Sequence, residues 1–300
     1  MKRAGCLLFA AVPVLVTAAV CLVPYLHTDS ADGRDGSTTA ARQQARQDDG
    51  KRAGRSDDDE LIADRPPGLA APAEKELAQQ IVASAENSTL DWRSAYGYVE
   101  DIGDGQGYTA GVIGFCTGTH DLLTLVEGYT EDRPGNGLAR YLPALRKVDG
   151  TDSHAGLEGF PAAWKQEARV GAFRAAQDAE RDRVYFDPAV RLAKLDGLGT
   201  LGQFIYYDAM VMHGPGTNAD SFHGLRERAA READPPSAGG DEKAYLDVFL
   251  DIRRTTMKSK NPDRDTTRID TAQRRFLHDG NLALKPPLTW KVYGETYHVP

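Results

Sequence analysis

The stretch Ser84–Leu123 reads SAENSTLDWRSAYGYVEDIGDGQGYTAGVIGFCTGTHDLL and places acidic residues where the chain is expected to change direction. Glu86 comes at the end of an amphipathic pattern, and Asp104 lies in the segment GDGQG between two strand-prone runs. Three explanations fit acids at such corners: ordinary turn chemistry, a metal site, or an acid and a base that face each other across a cleft. Their positions alone do not decide among the three.

The segment before this stretch predicts a helix that ends at the first acid. Pro72 stands near its start, and Leu77, Ile81 and Ala85 recur every four residues, which gives one apolar face. Glu86 then falls at the C-terminal end, where the helix dipole disfavours a negative charge. Such a place suits a proton donor, unless a cation offsets the effect of the dipole.

The segment after the helix predicts a small antiparallel hairpin. Tyr96, Tyr98 and Val99 favour a strand, GDGQG forms a turn, and YTAGVIGF returns as the second strand. Asp104 is therefore expected at the tip or base of this hairpin. CTGTHDLLTLVEGY restarts a helix, for which Thr119 is the predicted N-cap.

The remainder of the chain is predicted to be mostly helical and to end in a Pro-rich tail. Helical patterns cover 161–181, 188–213, 242–259 and 267–279, in addition to the segment GLARYLPALRKV. The predicted fold class is therefore α+β and mainly α, with a small antiparallel sheet near its N-terminus. The folded domain is expected to span 68–300.

The N-terminal residues resemble an export signal. The positive segment MKR precedes an uncharged apolar run from Ala4 to Leu26, so residues 1–30 are predicted to be a signal peptide or an uncleaved N-terminal anchor. We expect a secreted, extracellular protein; the alternative is a membrane-anchored protein that faces outward. Residues 31–67 are poor in apolar side chains and are predicted to form a disordered linker or pro-segment.

Charge and motif content exclude several functional classes. The 300 residues carry a formal net charge of −8, which disfavours nucleic acid as a partner. After loss of the N-terminal segment Cys116 would be the one cysteine, and its apolar surroundings predict a small buried side chain rather than a nucleophile. No metal-binding spacing, phosphate loop or serine-nucleophile motif occurs, so no metal, cofactor or protein partner is predicted.

A second acid stands in a place that requires compensation. The apolar helix GQFIYYDAMVMHG carries Asp208 in its middle, where an unpaired charge is very costly. Arg253, Arg254 and Arg268, all in later helices, are the candidate partners. The pairing could tune Glu86, or it could be a structural ion pair that joins helices.

The decisive segment strongly resembles the N-terminal signature of glycoside hydrolase family 46, the chitosanases typical of soil bacteria such as Streptomyces. The resemblance covers nearly all of 72–300 in order, and it continues through YLPALRKVDG, ERDRVYFDPAV, LGQFIYYDAMVMHGPG, GGDEKAYLDVFLDIR, DTTRIDTAQRRFL and NLALKPPLTWKVYG. It implies a lysozyme-like fold of two mostly helical lobes, with the small sheet in the N-terminal lobe and a substrate cleft between the lobes.

The resemblance also implies an activity and the residues that carry it. The activity is endo-hydrolysis of β-1,4 bonds in chitosan, with inversion at the anomeric carbon. Glu86 in SAENS matches the general acid, and Asp104 in DIGDG matches the general base. Thr109 in GYT matches the residue that helps to hold the attacking water, and Asp121 in GTHD matches a carboxylate that pairs with a glucosamine ammonium.

Asp208, Arg253 and Arg268 match a buried network that supports the acid and the closing of the lobes. Chitosan and glucosamine oligosaccharides are the implied partners, with contact to a membrane only if the N-terminal segment is uncleaved. Two alternatives stand beside this hypothesis: a non-catalytic polysaccharide-binding protein of the cell surface, and a peptidoglycan hydrolase on the same scaffold.

Three positions depart from the pattern of the family. Gln106 stands where a basic residue is common, Lys260 stands where relatives can carry a subsite glutamate, and His120 replaces a small residue beside Asp121. Lys260 is expected to weaken the binding of an ammonium sugar, and His120 to make its subsite sensitive to pH. Neither the acid nor the base is altered.

Overall fold

A computed structural model describes residues 57–300, apart from the side chain of Lys260. Residues Pro66–Pro300 form one compact unit. The predicted signal peptide or anchor at 1–30 lies outside the described residues, as does most of the predicted linker at 31–67. At the end of that linker, residues 57–63 are helical. No helix between residues 57 and 300 is both long enough and apolar enough to cross a membrane.

The N-terminal lobe combines a short sheet with five helices. The sheet is antiparallel in the order β1 (Val99–Asp101), β2 (Tyr108–Ala110) and β3 (Phe115–Cys116), and Thr109 pairs with both Glu100 and Cys116. The helices are α1 (Pro72–Glu86), α2 (Asp121–Asp132), α3 (Leu142–Val148), α4 (Phe160–Glu167) and α5 (Gly171–Arg181). Phe115, Phe160 and Trp164 are fully buried in the core of this lobe.

The C-terminal lobe is built from helices and one hairpin around a second core. The helices are α6 (Asp187–Leu195), α7 (Thr200–His213), α8 (Phe222–Glu232), α9 (Glu242–Lys260) and α10 (Arg274–His278). The hairpin consists of β4 (Leu288–Val292) and β5 (Glu295–Val299). Phe204, Phe249 and Trp290 are fully buried in this core.

Two segments belong to both lobes and therefore connect them. α1 buries Ala83 in the N-terminal core, whereas Ile81 and Val82 of the same helix are buried in the C-terminal core. The π-helical segment Asp182–Phe186 continues α5 directly into α6. The predicted mainly helical α+β fold, with a small antiparallel sheet in the N-terminal lobe, is confirmed.

Several predicted helices are interrupted where the backbone leaves the helical conformation. The predicted helix 161–181 divides at Val170, which is extended, into α4 and α5. The predicted helix 188–213 divides at Gly197, whose φ of +84° is a left-handed conformation that favours glycine, into α6 and α7. The predicted helix 267–279 begins as a π-helical segment, Arg268–Gln273, and continues as α10.

The predicted Pro-rich tail is in fact the hairpin β4–β5. Leu288, Trp290 and Val292 alternate toward the core, and Tyr293 and Gly294 both have positive φ, as a two-residue hairpin turn requires. The indole Nε1 of Trp290 donates to Ser84 Oγ over 2.9 Å. The hairpin thereby packs against the last turn of α1, which carries Glu86.

Candidate active site

A cleft of about 440 Å³ receives side chains from both lobes. The cleft is lined by the four side chains to which the family resemblance gives direct roles, Glu86, Asp104, Thr109 and Asp121. The C-terminal lobe contributes the end of α7, including Val211 and His213. Residues far apart in sequence are therefore brought together in one cavity.

Glu86 is the last residue of α1 and lies beside a cation. Arg268 Nη1 is 2.6 Å from Glu86 Oε1, and both side chains are largely buried. A guanidinium therefore offsets the unfavourable position at the helix C-terminus, so the helix dipole by itself does not make Glu86 a proton donor, and the acid role rests on the resemblance of SAENS to the family. Two opposing effects act on the pKa of Arg268. Burial lowers it, but the negative charges of Asp208 and Glu86 outweigh burial and raise it.

Asp208 lies in the middle of α7 and pairs its negative charge with the guanidiniums of Arg253 and Arg268. Arg253 Nη2 donates to its Oδ2 over 2.9 Å, and Arg268 Nε donates to both carboxylate oxygens over 3.0 and 3.1 Å. Burial by itself would raise the pKa of Asp208, but the two guanidiniums outweigh burial and hold it below its usual range. The third candidate partner, Arg254, pairs instead with Asp270 at the surface.

A fourth member of this cluster was missed in the sequence. The Gln273 side-chain amide donates from Nε2 to Asp208 Oδ2 over 2.6 Å and accepts from Arg253 Nη1 over 2.7 Å. Gln273 comes five residues after Arg268, a spacing at which an α-helix would point the two side chains in different directions. No helical periodicity could therefore have grouped them.

Asp104 is held in the loop between β1 and β2. Its Oδ1 accepts the backbone N–H of Gln106 over 3.0 Å. Partial burial raises the pKa of Asp104, the Gln106 N–H opposes that effect, and the nearby charge of Asp101 adds to it. Gly103 and Gly105, with φ of +72° and +83°, allow the loop to turn on both sides of the acid.

Thr109 and Cys116 face each other across the sheet. Thr109 Oγ1 lies 3.3 Å from Cys116 Sγ, and the thiol donates to the Gly114 carbonyl over 3.1 Å. Burial raises the pKa of Cys116 to about 12, so the thiol stays protonated. Cys116 is buried as predicted, although it also lines the cleft beside Thr109.

Asp121 is the first residue of α2, and three hydrogen bonds fix its orientation. Its Oδ1 accepts the backbone N–H groups of Cys116 and Leu122 over 2.8 and 2.9 Å and the Thr119 hydroxyl over 2.7 Å. Burial raises the pKa of Asp121, and these donors oppose the rise. Within residues 57–300 its Oδ2 accepts a longer hydrogen bond, of 3.3 Å, from the Tyr185 hydroxyl, and this oxygen retains capacity for a cation.

The predicted N-cap of α2 is wrong. His120 occupies the cap position with a left-handed φ of +72° and gives no side-chain cap, whereas Thr119 hydrogen-bonds Asp121 as described above. The His120 ring is exposed, and its Nδ1 lies 2.6 Å from Asp149 Oδ2. This bond raises the pKa of His120, which favours a positive charge beside Asp121.

The other two departures have different outcomes. Gln106 is buried and lines the cleft. Its backbone carbonyl accepts the Gly118 N–H over 2.9 Å, which fixes the loop that carries Asp104. The side chain of Lys260 lies outside the described residues, and its expected effect stays a prediction. Across residues 57–300, no three side chains of His, Cys, Asp or Glu form a group that could hold a metal ion.

The sequence matches one family of enzymes over most of its folded part. Residues 80–288 match the sequence profile of Glycosyl hydrolase family 46. The chain is 57% identical over 231 residues to a chitosanase of Streptomyces sp. (strain N174), an alignment that covers 77% of this chain and 83% of the relative. It is 55% identical over 233 residues to a chitosanase of Nocardioides sp. (strain N106), which covers 77% of this chain and 84% of the relative.

A solved structure is similar over the same part of the chain. The co-crystal structure of chitosanase OU01 with substrate superposes with a TM-score of 0.76 at 54% identity. The superposition covers 79% of this chain and all of the solved one. The similarity thus extends from sequence to fold.

Proposed function

The chain belongs to glycosyl hydrolase family 46 and is a chitosanase, and from this premise we propose that it cleaves chitosan with inversion, with Glu86 as general acid and Asp104 as general base. Its fold is the lysozyme-like fold of the family. The two alternative hypotheses, a non-catalytic binding protein and a peptidoglycan hydrolase, give way to chitosan hydrolysis, because the relatives at 57% and 55% identity are chitosanases.

The acid must give a proton to the oxygen of the bond that breaks. Glu86 can do so from the end of α1, and the carboxylate that forms lies beside Arg268 at 2.6 Å. Because the guanidinium is already in place, no reorganisation is needed when the negative charge develops. We assign Arg268 a supporting role, since it acts through Glu86.

The base must take a proton from the attacking water. A raised pKa makes Asp104 a stronger base than an ordinary aspartate. Thr109, whose hydroxyl lies 3.3 Å from the protonated Cys116 thiol, lines the same cleft and is assigned to hold this water. In an inverting site the two carboxyl groups stand far enough apart to admit the water.

Chitosan becomes a polycation when its amines are protonated, and the charge of the chain suits that substrate. The net charge of −8 attracts a cationic polymer over long range. Within the cleft, Asp121 Oδ2 is the oxygen that we assign to a glucosamine ammonium. Its partner oxygen is already saturated by three donors.

We also propose that the enzyme is exported. The proposal rests on the positive segment MKR and the uncharged run Ala4–Leu26, which are typical of a signal peptide. N-terminal sequencing of the protein recovered from culture medium tests it. A mature N-terminus beyond Leu26 is expected, and retention of Met1 in the membrane fraction would indicate an anchor.

The observation that carries the proposed mechanism is that Glu86 and Asp104 line one cleft. The test is ¹H NMR of a glucosamine hexamer during the first minutes of hydrolysis. Inversion of a β-1,4 bond produces the α-anomer at the new reducing end before mutarotation mixes the anomers. Initial accumulation of the β-anomer would contradict the roles assigned to the two acids.

A further inference from the structure

The side chain of Gln273 bridges the buried ion pair of Asp208 and Arg253, which Arg268 connects to Glu86. Its amide donates to Asp208 Oδ2 and accepts from Arg253 Nη1, and all three side chains are almost completely buried. An amide suits this place because it carries both a donor and an acceptor. An ionised carboxylate could not donate to Asp208, and an ammonium could not accept from Arg253.

The local backbone explains how Gln273 reaches Asp208 together with Arg268. Arg268–Gln273 is a π-helical segment. In an α-helix, residues five apart point roughly 140° away from each other. In a π-helix the hydrogen bonds run from residue i to i+5, so the two side chains share one side, and such segments occur frequently at functional sites. Arg268 and Gln273 both bond the Asp208 carboxylate.

We propose that Gln273 is a positioning residue for proton transfer: it fixes Asp208 and Arg253 so that Arg268 is held against Glu86. The proposal rests on the proposed function, in which Glu86 is the acid. Gln273 acts through three other side chains and is not itself assigned a contact with substrate.

The consequence of losing the amide follows from the hydrogen bonds. Arg253 Nε already lacks a hydrogen-bond partner among the described residues, and removal of Gln273 would also deprive Nη1 of its acceptor. Asp208 would lose its donor at 2.6 Å. Arg268, which is shared between Asp208 and Glu86, would then be drawn toward Asp208 and away from the acid.

The chain offers a matched control in Gln203, on the same helix as Asp208. Gln203 is also buried and uses both ends of its amide, since Oε1 accepts from Leu69 N over 2.9 Å and Nε2 donates to Leu198 O over 3.1 Å. Its partners are backbone atoms outside the charged cluster. Gln203→Met and Gln273→Met therefore each remove one buried side-chain amide. Only Gln273→Met removes hydrogen bonds to Asp208 and Arg253.

The experiment compares steady-state hydrolysis of a glucosamine hexamer by folded Gln273→Met and Gln203→Met. We expect Gln273→Met to lower kcat roughly 10- to 100-fold with KM little changed, because a small displacement of a reacting group is costly. Gln203→Met is expected to lose thermal stability but to keep kcat near the wild-type value. Equal kcat values for the two variants would overturn the proposal.

A second pair of variants keeps the test decisive if Gln273→Met does not fold. In Gln273→Glu the new carboxyl faces Asp208, Arg253 and Arg268, and only its protonated form has the donor and acceptor of the amide. The ratio of the Gln273→Glu kcat to the wild-type kcat should therefore rise as the pH falls from 7 to 5. The same ratio for Gln203→Glu should stay constant over this range. A ratio for Gln273→Glu that does not depend on pH would overturn the proposal.

The Glu86→Gln variant separates this inference from the function on which it rests. If Glu86→Gln keeps normal hydrolysis, the acid assignment itself fails. If Glu86→Gln is inactive while Gln273→Met matches Gln203→Met, the acid assignment stands and the positioning role of Gln273 fails alone.

Discussion

The guanidinium of Arg268 lies between two carboxylates, with Nη1 2.6 Å from Glu86 Oε1 and Nη2 2.9 Å from Asp208 Oδ1. The arginine and Asp208 are nearly inaccessible to solvent. One cation thus connects the middle of α7 with Glu86, the proposed proton donor, at the end of α1.

Replacement of Arg268 by methionine should destabilise the protein strongly. Two buried or largely buried carboxylates would lose their shared cation, and breaking such a pair costs about 3–5 kcal/mol in free energy of unfolding. Urea denaturation measures the loss. Arg254→Met is the control, because Arg254 pairs with Asp270 at the surface, where an ion pair contributes about 1 kcal/mol or less. Equal losses in the two variants would contradict this account of the network.

Replacement of Asp104 by asparagine should lower kcat at least about 10²-fold, a typical contribution of a general base. Asparagine preserves the hydrogen bond from the Gln106 N–H but cannot take a proton from water. Reducing-sugar release from soluble chitosan measures the effect. Activity within a few-fold of wild type would reject the assigned base.

The pH dependence of the wild-type enzyme should reflect the environment of Asp104. A base is active when ionised, so a raised pKa places the acidic limb of kcat/KM above the ordinary value of 3.8. Asp101→Asn removes one cause of the raised pKa, and we expect this limb to move to lower pH with kcat preserved. A limb that does not move in Asp101→Asn would show that Asp101 does not act on the base.

The imidazole of His120 should weaken the binding of a cationic sugar when it is protonated. Its pKa is raised above the usual 6.5 by Asp149, so it is charged at pH 6 and becomes neutral only as the pH rises through this raised value. At pH 6 we expect His120→Asn to lower KM for a glucosamine hexamer about two- to five-fold, as suits an exposed charge. His278→Asn, outside the cleft, is the control. An unchanged KM in His120→Asn would exclude this role.

The segments that carry the chemistry could be predicted from sequence because their signals are local. The apolar repeat of α1 and the glycines of GDGQG fix a helix end and a hairpin turn, and these place Glu86 and Asp104. The buried Asp208 was also recognisable, since a charge in an apolar helix requires a partner.

The features that were missed depend on packing or on signals that were overlooked. Helical periodicity does not reveal a π-helical segment, so the grouping of Arg268 with Gln273 required the folded chain. The division between α6 and α7 and the final hairpin had local signals, Gly197 and the pair Tyr293–Gly294, which the apolar pattern and the neighbouring prolines concealed. Thr119 is a common N-cap residue, but its hydroxyl serves Asp121 instead.

The central claim is that Glu86 supplies the proton, and the most direct test measures turnover and binding together for Glu86→Gln. Glutamine keeps the shape of the side chain and cannot donate an acidic proton. Hydrolysis of a glucosamine hexamer should fall by at least about 10²-fold, while calorimetry finds an affinity close to that of the wild type. Near-normal hydrolysis by Glu86→Gln would contradict the claim.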